Sequence, residues 1–239
     1  MTVTKSWART DVGAVRKHNE DNLLHRPDIG LWVVADGAGG HDSGEVASGL
    51  IVSSLDQLAS AVSAPELLSQ VRHHVGDVHL QLRDMAAARG GNSMIASTFV
   101  GLIIRDGHFA CLWAGDSRAY LLRHGTLSQI SRDHSLVQEL VDSGHLAPED
   151  AETHPHANII TRAVGADADT LELDKVIGET EPGDRFLLCS DGLTKTLSDP
   201  EIAAVLSRNG EASPADRLIA AALAQDVNDN VTAVVVDVV

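Results

Sequence analysis

Four aspartates in this chain share one kind of position. Asp36 follows Leu31-Trp32-Val33-Val34-Ala35, and Asp116 follows Leu112-Trp113-Ala114-Gly115. Asp191 follows Phe186-Leu187-Leu188-Cys189-Ser190, and Asp229 precedes Asn230 and the run Val231 to Val236. Each stands at the end of an apolar run of strand length. Asp36 and Asp191 are followed directly by Gly37 and Gly192, and a backbone without Cβ can approach a ligand closely. Strand ends of one sheet sandwich can converge on a single rim. Carboxylates gathered there repel one another unless cations lie between them. All-oxygen donors suit Mg²⁺ or Mn²⁺ rather than Zn²⁺. Asp-Gly is also a common turn, and a strand-end Asp often serves only as a cap or hairpin residue. Four in similar settings weigh against that reading, but pattern alone does not decide.

The segment Arg16-Lys17-His18-Asn19-Glu20-Asp21-Asn22 adds a cation and two more carboxylates. An Arg fork matches a phosphate group; an ordinary solvated charge run is the alternative. Other chemistries find no support. A cysteine phosphatase loop needs Cys-x5-Arg, whereas Cys111 to Arg118 is one residue too long and contains Asp116. Neither H-E-x-x-H, G-x-S-x-G nor a G-x-x-x-x-G-K-[ST] phosphate loop is present. The 12 histidines show no zinc-site spacing with the cysteines.

The elements that must position these residues follow from the apolar pattern. Leu31 to Ala35 reads as a buried strand. Glu45 to Val62 carries Val46, Leu50, Ile51, Leu55, Leu58 and Val62 at helical spacing, and a second helix starts near Pro65 and runs to about Ala88. Four strand-like runs follow without an intervening helix: Ser97–Arg105, His108–Ala114, Ser117–Arg123 and Thr126–Ser131. Asp106-Gly107 and His124-Gly125 supply tight turns between pairs of them. Such a meander is antiparallel, because parallel strands need crossovers. A helix is expected over Asp133–Ser143 with Asp133 as its N-cap. Strands are expected over Leu171–Ile177 and Arg185–Cys189, helices over Asp199–Ser207 and Pro214–Ala224, and a closing strand over Val231–Val238. The order predicts an α+β fold with helices covering antiparallel sheets.

Composition sets the frame. The chain has 239 residues, 34 acidic against 18 basic side chains and a net charge of −16. That excess of negative charge opposes nucleic acid and anionic membranes. With 44% apolar but only 3% aromatic residues, the core must be aliphatic. No apolar run approaches the ~20 residues of a membrane span, and Met1 to Trp7 contains no signal-peptide stretch. Cys111 and Cys189 lie inside apolar runs and read as buried thiols of a reducing compartment, a single disulfide being the alternative. These features predict one cytoplasmic domain over residues 1–239, without low-complexity linker or internal repeat.

Taken together, the motifs resemble the protein phosphatase 2C family, the metal-dependent Ser/Thr phosphatases, in its compact bacterial form. The matches run in family order: Arg16-x-x-Asn19-Glu20-Asp21-Asn22; Val34-Ala35-Asp36-Gly37-Ala38-Gly39-Gly40-His41 with Gly44-Glu45; Ala96-Ser97-Thr98; Trp113-Ala114-Gly115-Asp116-Ser117-Arg118; Asp133-His134-Ser135; Ile160-Thr161-Arg162-Ala163-Val164-Gly165; Cys189-Ser190-Asp191-Gly192-Leu193; and Asp229-Asn230-Val231-Thr232. The resemblance implies a four-layer α-β-β-α sandwich of two antiparallel sheets flanked by helices, with a helical and flap segment at about 131–165. It implies two to three Mn²⁺ or Mg²⁺ ions per chain. Asp36 would bridge two of them, and Asp191 and Asp229 would complete the first shell. The Gly37 carbonyl would bind the second ion, with Glu20 and Asp21 reaching it through water. Asp116 would hold a third ion together with Asp191. Arg16 would hold the substrate phosphate. Two ions about 3.5–4 Å apart would activate a water for in-line attack on phosphorus.

One departure bears on mechanism. Where eukaryotic members place a His two residues after the bridging Asp, this chain has Ala38, which has no proton to donate. His41 is the substitute candidate, and Arg162 in the flap segment is a further substrate-binding candidate. Ala96-Ser97-Thr98 departs from the family's usual Gly-[ST]-Thr, a change expected to be structural only. The expected activity is that of a phosphoserine/phosphothreonine protein phosphatase acting as a monomer on an autophosphorylating Ser/Thr kinase and that kinase's targets, with no nucleic-acid partner and no membrane insertion. A catalytically silent phosphoprotein-binding module and a phosphatase of a sigma-factor regulator are the alternatives. The segments Ala96–Thr98, Cys111–Asp116 and His134–Val141 resemble phosphatases associated with bacterial type VI secretion.

Overall fold

The computed structural model describes residues 2–39, 43–60, 62–90, 93–166, 169–208, 210 and 212–239. Two antiparallel sheets form its centre. The first contains β1 (Thr4–Asp11), β7 (Arg118–Arg123), β8 (Thr126–Gln129), β10 (Arg185–Cys189) and β11 (Val231–Val238), in the order β1-β11-β10-β7-β8. The second contains β2 (Asp21–Arg26), β3 (Leu31–Ala38), β5 (Phe99–Arg105), β6 (His108–Ala114) and β9 (Asp174–Glu179) in that order, and the two-residue β4 (Ala96–Ser97) pairs with β3. Helices α1 (Ser43–Asp56) and α2 (Ala64–Arg89) cover the second sheet, and α4 (Asp191–Thr194), α5 (Asp199–Leu206) and α6 (Pro214–Leu223) cover the first. A short α3 (Leu136–Asp142) lies between β8 and β9.

Three apolar clusters glue the four layers. Between the sheets, Trp32, Val34, Val100, Leu102, Phe109 and Cys111 meet Phe186, Leu188, Val234 and Val236. Each strand contributes alternate residues to this seam and sends the others to its helices, the two-residue period of a strand buried on both faces. Leu31, Val33 and Ala35 accordingly pack against Ile51, Leu55, Val71 and Val75. Leu187, Cys189, Ala233 and Val235 pack against Ile202, Leu218 and Ile219. The core is aliphatic, as the composition requires. Both cysteines are buried free thiols, and burial pushes each thiol above its ordinary pKa. Among the described residues, no helix is long and apolar enough to cross a membrane.

Most expected elements are present, and the differences have physical causes. The first helix ends at Asp56 rather than Val62, and Arg26 reaches over from β2 to satisfy the Asp56 carbonyl at 2.7 Å. Asp133 is not an N-cap. Arg118 forks its carboxylate at 2.8–3.1 Å, and Ser135 caps α3 instead, accepting from the Gln138 N–H. The strand expected at Leu171–Ile177 begins only at Asp174, where pairing with Trp113 starts; Leu171 and Leu173 pack on the helical core. β1, which has no clean alternation, is specified by its eight-residue pairing with β11.

Candidate metal centre

The loop before β2, the end of β3, the turn after β6, the start of α4 and the turn before β11 bring the predicted carboxylates together from both sheets. Asp21 and Asp36 lie opposite each other in the β2–β3 register. The backbone of Asp36 is clamped: its N–H donates to Thr98 Oγ1 at 3.0 Å, and its carbonyl accepts from the Thr98 N–H at 2.8 Å and Ser97 Oγ at 3.0 Å. Asp191 opens α4, where the positive end of the backbone favours a carboxylate.

Two close approaches shape the site. A Cβ on Gly44 would lie 2.7 Å from the Gly37 carbonyl oxygen and 2.8 Å from Glu20 Oε1, so the glycine leaves those two oxygens side by side. A Cβ on Gly192 would stand 2.0 Å from the Asn230 carbonyl oxygen, so α4 can seat against the β11 turn only with glycine there. These contacts place Asp191 and Asp229 next to each other across the rim.

Asp21 is 6% exposed, and its Oδ2 accepts from Ser190 Oγ and Thr232 Oγ1, both at 2.7 Å. Its Oδ1 is buried without a hydrogen-bond partner, and so is Oδ1 of Asp116, a residue 7% exposed. A buried, unsatisfied carboxylate oxygen is costly unless a ligand completes it. Burial, and then the charges of Asp21, Asp191, Asp116 and Asp229, hold the Asp36 carboxyl well above the usual carboxylate range. Burial pushes Asp21 up to about 7 against the two hydroxyl donors, with Asp191 and Asp229 adding to the rise. Burial and Asp191 push Asp116 up to about 7, with Lys195 opposing. Five carboxylates thus feel one another's charge inside a poorly solvated rim. Buried oxygen donors with open lone pairs, the Gly37 main-chain carbonyl beside Glu20 and mutual repulsion fit a hard divalent cation.

Two protein cations lean on the same rim. Arg16, 54% exposed, forks Asp229 through Nε and Nη2, both at 2.9 Å. Lys195 Nζ binds Asp191 Oδ2 at 2.5 Å. Among the described residues, no three His, Cys, Asp or Glu side chains already close around one point. Asp229 also accepts from the Asn230 N–H at 2.9 Å.

Arg162 is not brought to this rim. Its Nη1 pairs with Asp174 Oδ1 at 2.7 Å beside His134, and it lines a groove with His134 and Asp174 rather than the cavity lined by Asp116 and Lys195. His134 Nδ1 accepts from the Gly115 N–H at 3.1 Å, so its Nε2 carries the proton and faces Asp174 Oδ2 at 3.2 Å. His41 lies outside the described residues. Sequence reading assigned no roles to Ser190, Thr232 or Asn230, yet they organise the site. Asn230 accepts from the Glu20 N–H at 2.8 Å and donates to the Val12 and His18 carbonyls, which pins the loop bearing Arg16 and Glu20 beside Asp229. The available signal was a polar residue inside each otherwise apolar run, Ser190 after Cys189 and Thr232 between Val231 and Ala233.

Comparison with known proteins agrees with the motifs. The family model for protein phosphatase 2C matches residues 14–227. The chain belongs to the protein phosphatase 2C family. Within that family it is 38% identical over 250 residues to the serine/threonine protein phosphatase PstP of Mycobacterium tuberculosis, an alignment covering 99% of this chain. The chain spans about half, 45%, of that relative's length. Among solved structures, PppA, described as a key regulatory component of T6SS in Pseudomonas aeruginosa, has a TM-score of 0.90 at 44% identity, covering 99% of this chain and 98% of that one. The catalytic domain of PstP in complex with two manganese ions has a TM-score of 0.83 at 36% identity, with both chains fully covered. The protein phosphatase 2C sandwich is therefore the architecture of this chain.

Proposed function

We propose that this chain hydrolyses phosphoserine and phosphothreonine in proteins, using Mn²⁺ or Mg²⁺ held by Asp36, Asp191, Asp229 and the Gly37 carbonyl. Glu20 and Asp21 act through water, and Asp116 with Asp191 takes a further ion. The observation that carries this reading is the convergence of five mutually repelling carboxylates, two with unpartnered buried oxygens, on the rim where both sheets end. Bound divalent ions supply Lewis-acid charge and lower the pKa of water.

The chain's own residues do the rest. Thr98 and Ser97 hold the Asp36 backbone still, and Ser190 and Thr232 fix Asp21 behind it. Arg16 is exposed enough to turn its fork from Asp229 to the phosphate, where a planar bidentate donor matches two equatorial oxygens. Ala38 provides no proton for the leaving Ser or Thr oxygen, so that proton comes from another group.

The deciding experiment is hydrolysis of a phosphothreonine peptide with Mn²⁺, with Mg²⁺ and with chelator, beside an Asp191→Asn control. The expected result is turnover that needs the ion and is lost in the control. A folded, Mn²⁺-loaded protein with no turnover would instead point to a silent phosphoprotein-binding module. Arg16→Ala is expected to raise KM for the peptide about tenfold or more, the worth of a charge-assisted hydrogen bond, without weakening Mn²⁺ affinity. Steady-state kinetics beside calorimetry checks this; an unchanged KM would make Arg16 only a partner of Asp229.

The likeness to PppA supports a narrower reading, in which the chain opposes a Ser/Thr kinase in control of type VI secretion. A secretion gene cluster around the gene would agree with it, and a cell-wall or cell-division cluster beside another kinase would oppose it.

A further inference from the structure

Asp21 opens β2 of the second sheet, yet a strand pair of the first sheet holds it. Thr232 of β11, itself fully buried, donates to Asp21 Oδ2 at 2.7 Å. Thr10 of β1 is the cross-strand partner of Thr232, and their hydroxyl oxygens stand 2.7 Å apart. Asn19 closes the path. Its Nδ2 donates to Thr10 Oγ1 at 2.8 Å, and its Oδ1 accepts from the Asp21 N–H at 3.2 Å. The bonds form a ring that leaves Asp21 at its carboxylate and returns at its main chain. A hydroxyl has a single proton, so the ring has one direction around an ionised Asp21. Thr232 gives its proton to Asp21, Thr10 therefore donates to Thr232, and Thr10 accepts from Asn19. Ser190, outside the ring, donates to the same Oδ2 at 2.7 Å and accepts from the Thr232 N–H at 3.0 Å. Both hydroxyl donors thus reach Oδ2, and Oδ1 stays buried without a partner.

We propose that Thr10 is a positioning residue of the metal centre: with Asn19 and Thr232 it closes a ring that fixes Asp21 and leaves Oδ1 as the oxygen offered to the ion's water shell. This rests on the metal reading of the centre given above. A carboxylate that acts through water must hold its acceptor at one place, because it orients the waters on the ion rather than the ion itself. The ring does this from two sides. Thr232 fixes the carboxylate, and Asn19 fixes the main chain at the residue after Glu20. Thr10 couples the two, since it is the acceptor for Asn19 and the donor for Thr232. Without its hydroxyl, Asn19 Nδ2 loses that acceptor and the Thr232 oxygen loses that donor. The bond from Thr232 to Asp21 is then less polarised, and the Asn19 side chain loses one of its two anchors. Thr10 reaches the ion through other residues, so its effect falls on ion affinity and leaves the phosphate contact of Arg16 alone.

The test is Mn²⁺ calorimetry on the whole chain, beside peptide hydrolysis across a Mn²⁺ series and a thermal melt in chelator. Thr10→Val keeps the shape and the strand preference of the residue and removes the hydroxyl. It should weaken Mn²⁺ binding about three- to tenfold, the size of one hydrogen bond. The Mn²⁺ concentration for half-maximal turnover should rise by the same factor, while KM for the peptide at saturating Mn²⁺ stays at the wild-type value. Thr10→Ser keeps the hydroxyl and should restore Mn²⁺ affinity. Asn19→Ala should weaken Mn²⁺ binding in the same way, and it carries the test should Thr10→Val fold poorly. The two changes together should weaken binding by less than their sum, because both open one ring. Wild-type Mn²⁺ affinity in Thr10→Val and Asn19→Ala, whatever their thermal midpoints, would make the ring a clasp between the sheets and overturn the proposal, with the phosphatase reading intact. A loss in Thr10→Val that Thr10→Ser shares would also overturn it. A wild-type chain that takes up no Mn²⁺ would overturn the metal reading and the ring's role with it.

Discussion

Asp36→Asn is expected to make the metal-free protein more stable and to abolish its ion-dependent hydrolysis. Asp36 lies among Asp21, Asp116, Asp191 and Asp229, and burial together with their charges holds its carboxyl well above the usual carboxylate range. The amide has nearly the same shape and keeps the backbone bonds to Thr98 and Ser97, but carries no charge to be repelled. Each kcal/mol recovered raises the thermal midpoint by about 2–4 °C in a chain of this size. The same change removes the one carboxylate placed between the others, and an amide oxygen is a weak ligand for a hard cation. Loss of several kcal/mol of ion-borne stabilisation corresponds to at least about a 10³-fold fall in turnover. Thermal melts in chelator, Mn²⁺ calorimetry and peptide hydrolysis read the three effects. Unchanged Mn²⁺ affinity would overturn the bridging role of Asp36.

The second large effect is a pH dependence that reverses the usual one. Asp21 and Asp116 have an ordinary value of 3.8 and are pushed up to about 7 in the folded chain. Between those values the folded state binds more protons than the unfolded one, so stability falls as pH rises. Their contribution is fully present below about 3.8 and is lost as pH rises through about 7. Shifts of this size amount to several kcal/mol together. In chelator the thermal midpoint should therefore drop by about 5 °C or more between pH 5.5 and pH 8. Asp28 and Asp142 are lowered by Arg26 and Arg132, and Asp174 is lowered by His134 and then Arg162 against burial; their stabilisation is lost only in stronger acid, outside this window. His134, lowered by burial, works the other way, because its contribution is lost as pH falls below its ordinary range. One histidine opposes three raised carboxyls, so the net slope stays negative. Saturating Mn²⁺ should flatten it, since bound ions keep the carboxylates ionised, and binding at pH 6.5 should release protons, measured by calorimetry in two buffers. A midpoint in chelator that stays level or rises to pH 8 would show that the rim carboxyls ionise independently.

The positions of Asp36, Asp116, Asp191 and Asp229 were legible in the amino-acid sequence because a carboxylate ending an apolar run is a local pattern. The antiparallel meander was legible for the same reason: Asp106-Gly107 and His124-Gly125 are turns written into consecutive residues, and both Asp106 and His124 do adopt positive φ. The family motifs added the role of Arg16 and the ion count as expectations. Ends of elements were less legible. The end of the first helix at Asp56 is satisfied by Arg26, thirty positions earlier, and Asp133 pairs with Arg118, fifteen positions earlier, instead of capping a helix.

What the sequence determined by itself was therefore the fold class, the carboxylate set and the aliphatic core, all set by periodicity and by residue type at short range. The tertiary structure alone decided how the site is held and which charges meet. Ser190, between β10 and α4, and Thr232, in β11, come to one oxygen of Asp21, and Asn230 fastens the Glu20 loop across more than two hundred residues of chain. Lys195 bridges Asp191 and Asn158, whereas Arg162 turns away to Asp174. These partners are chosen by which groups are left buried with open lone pairs once the two sheets have packed, and no local pattern in the chain records that.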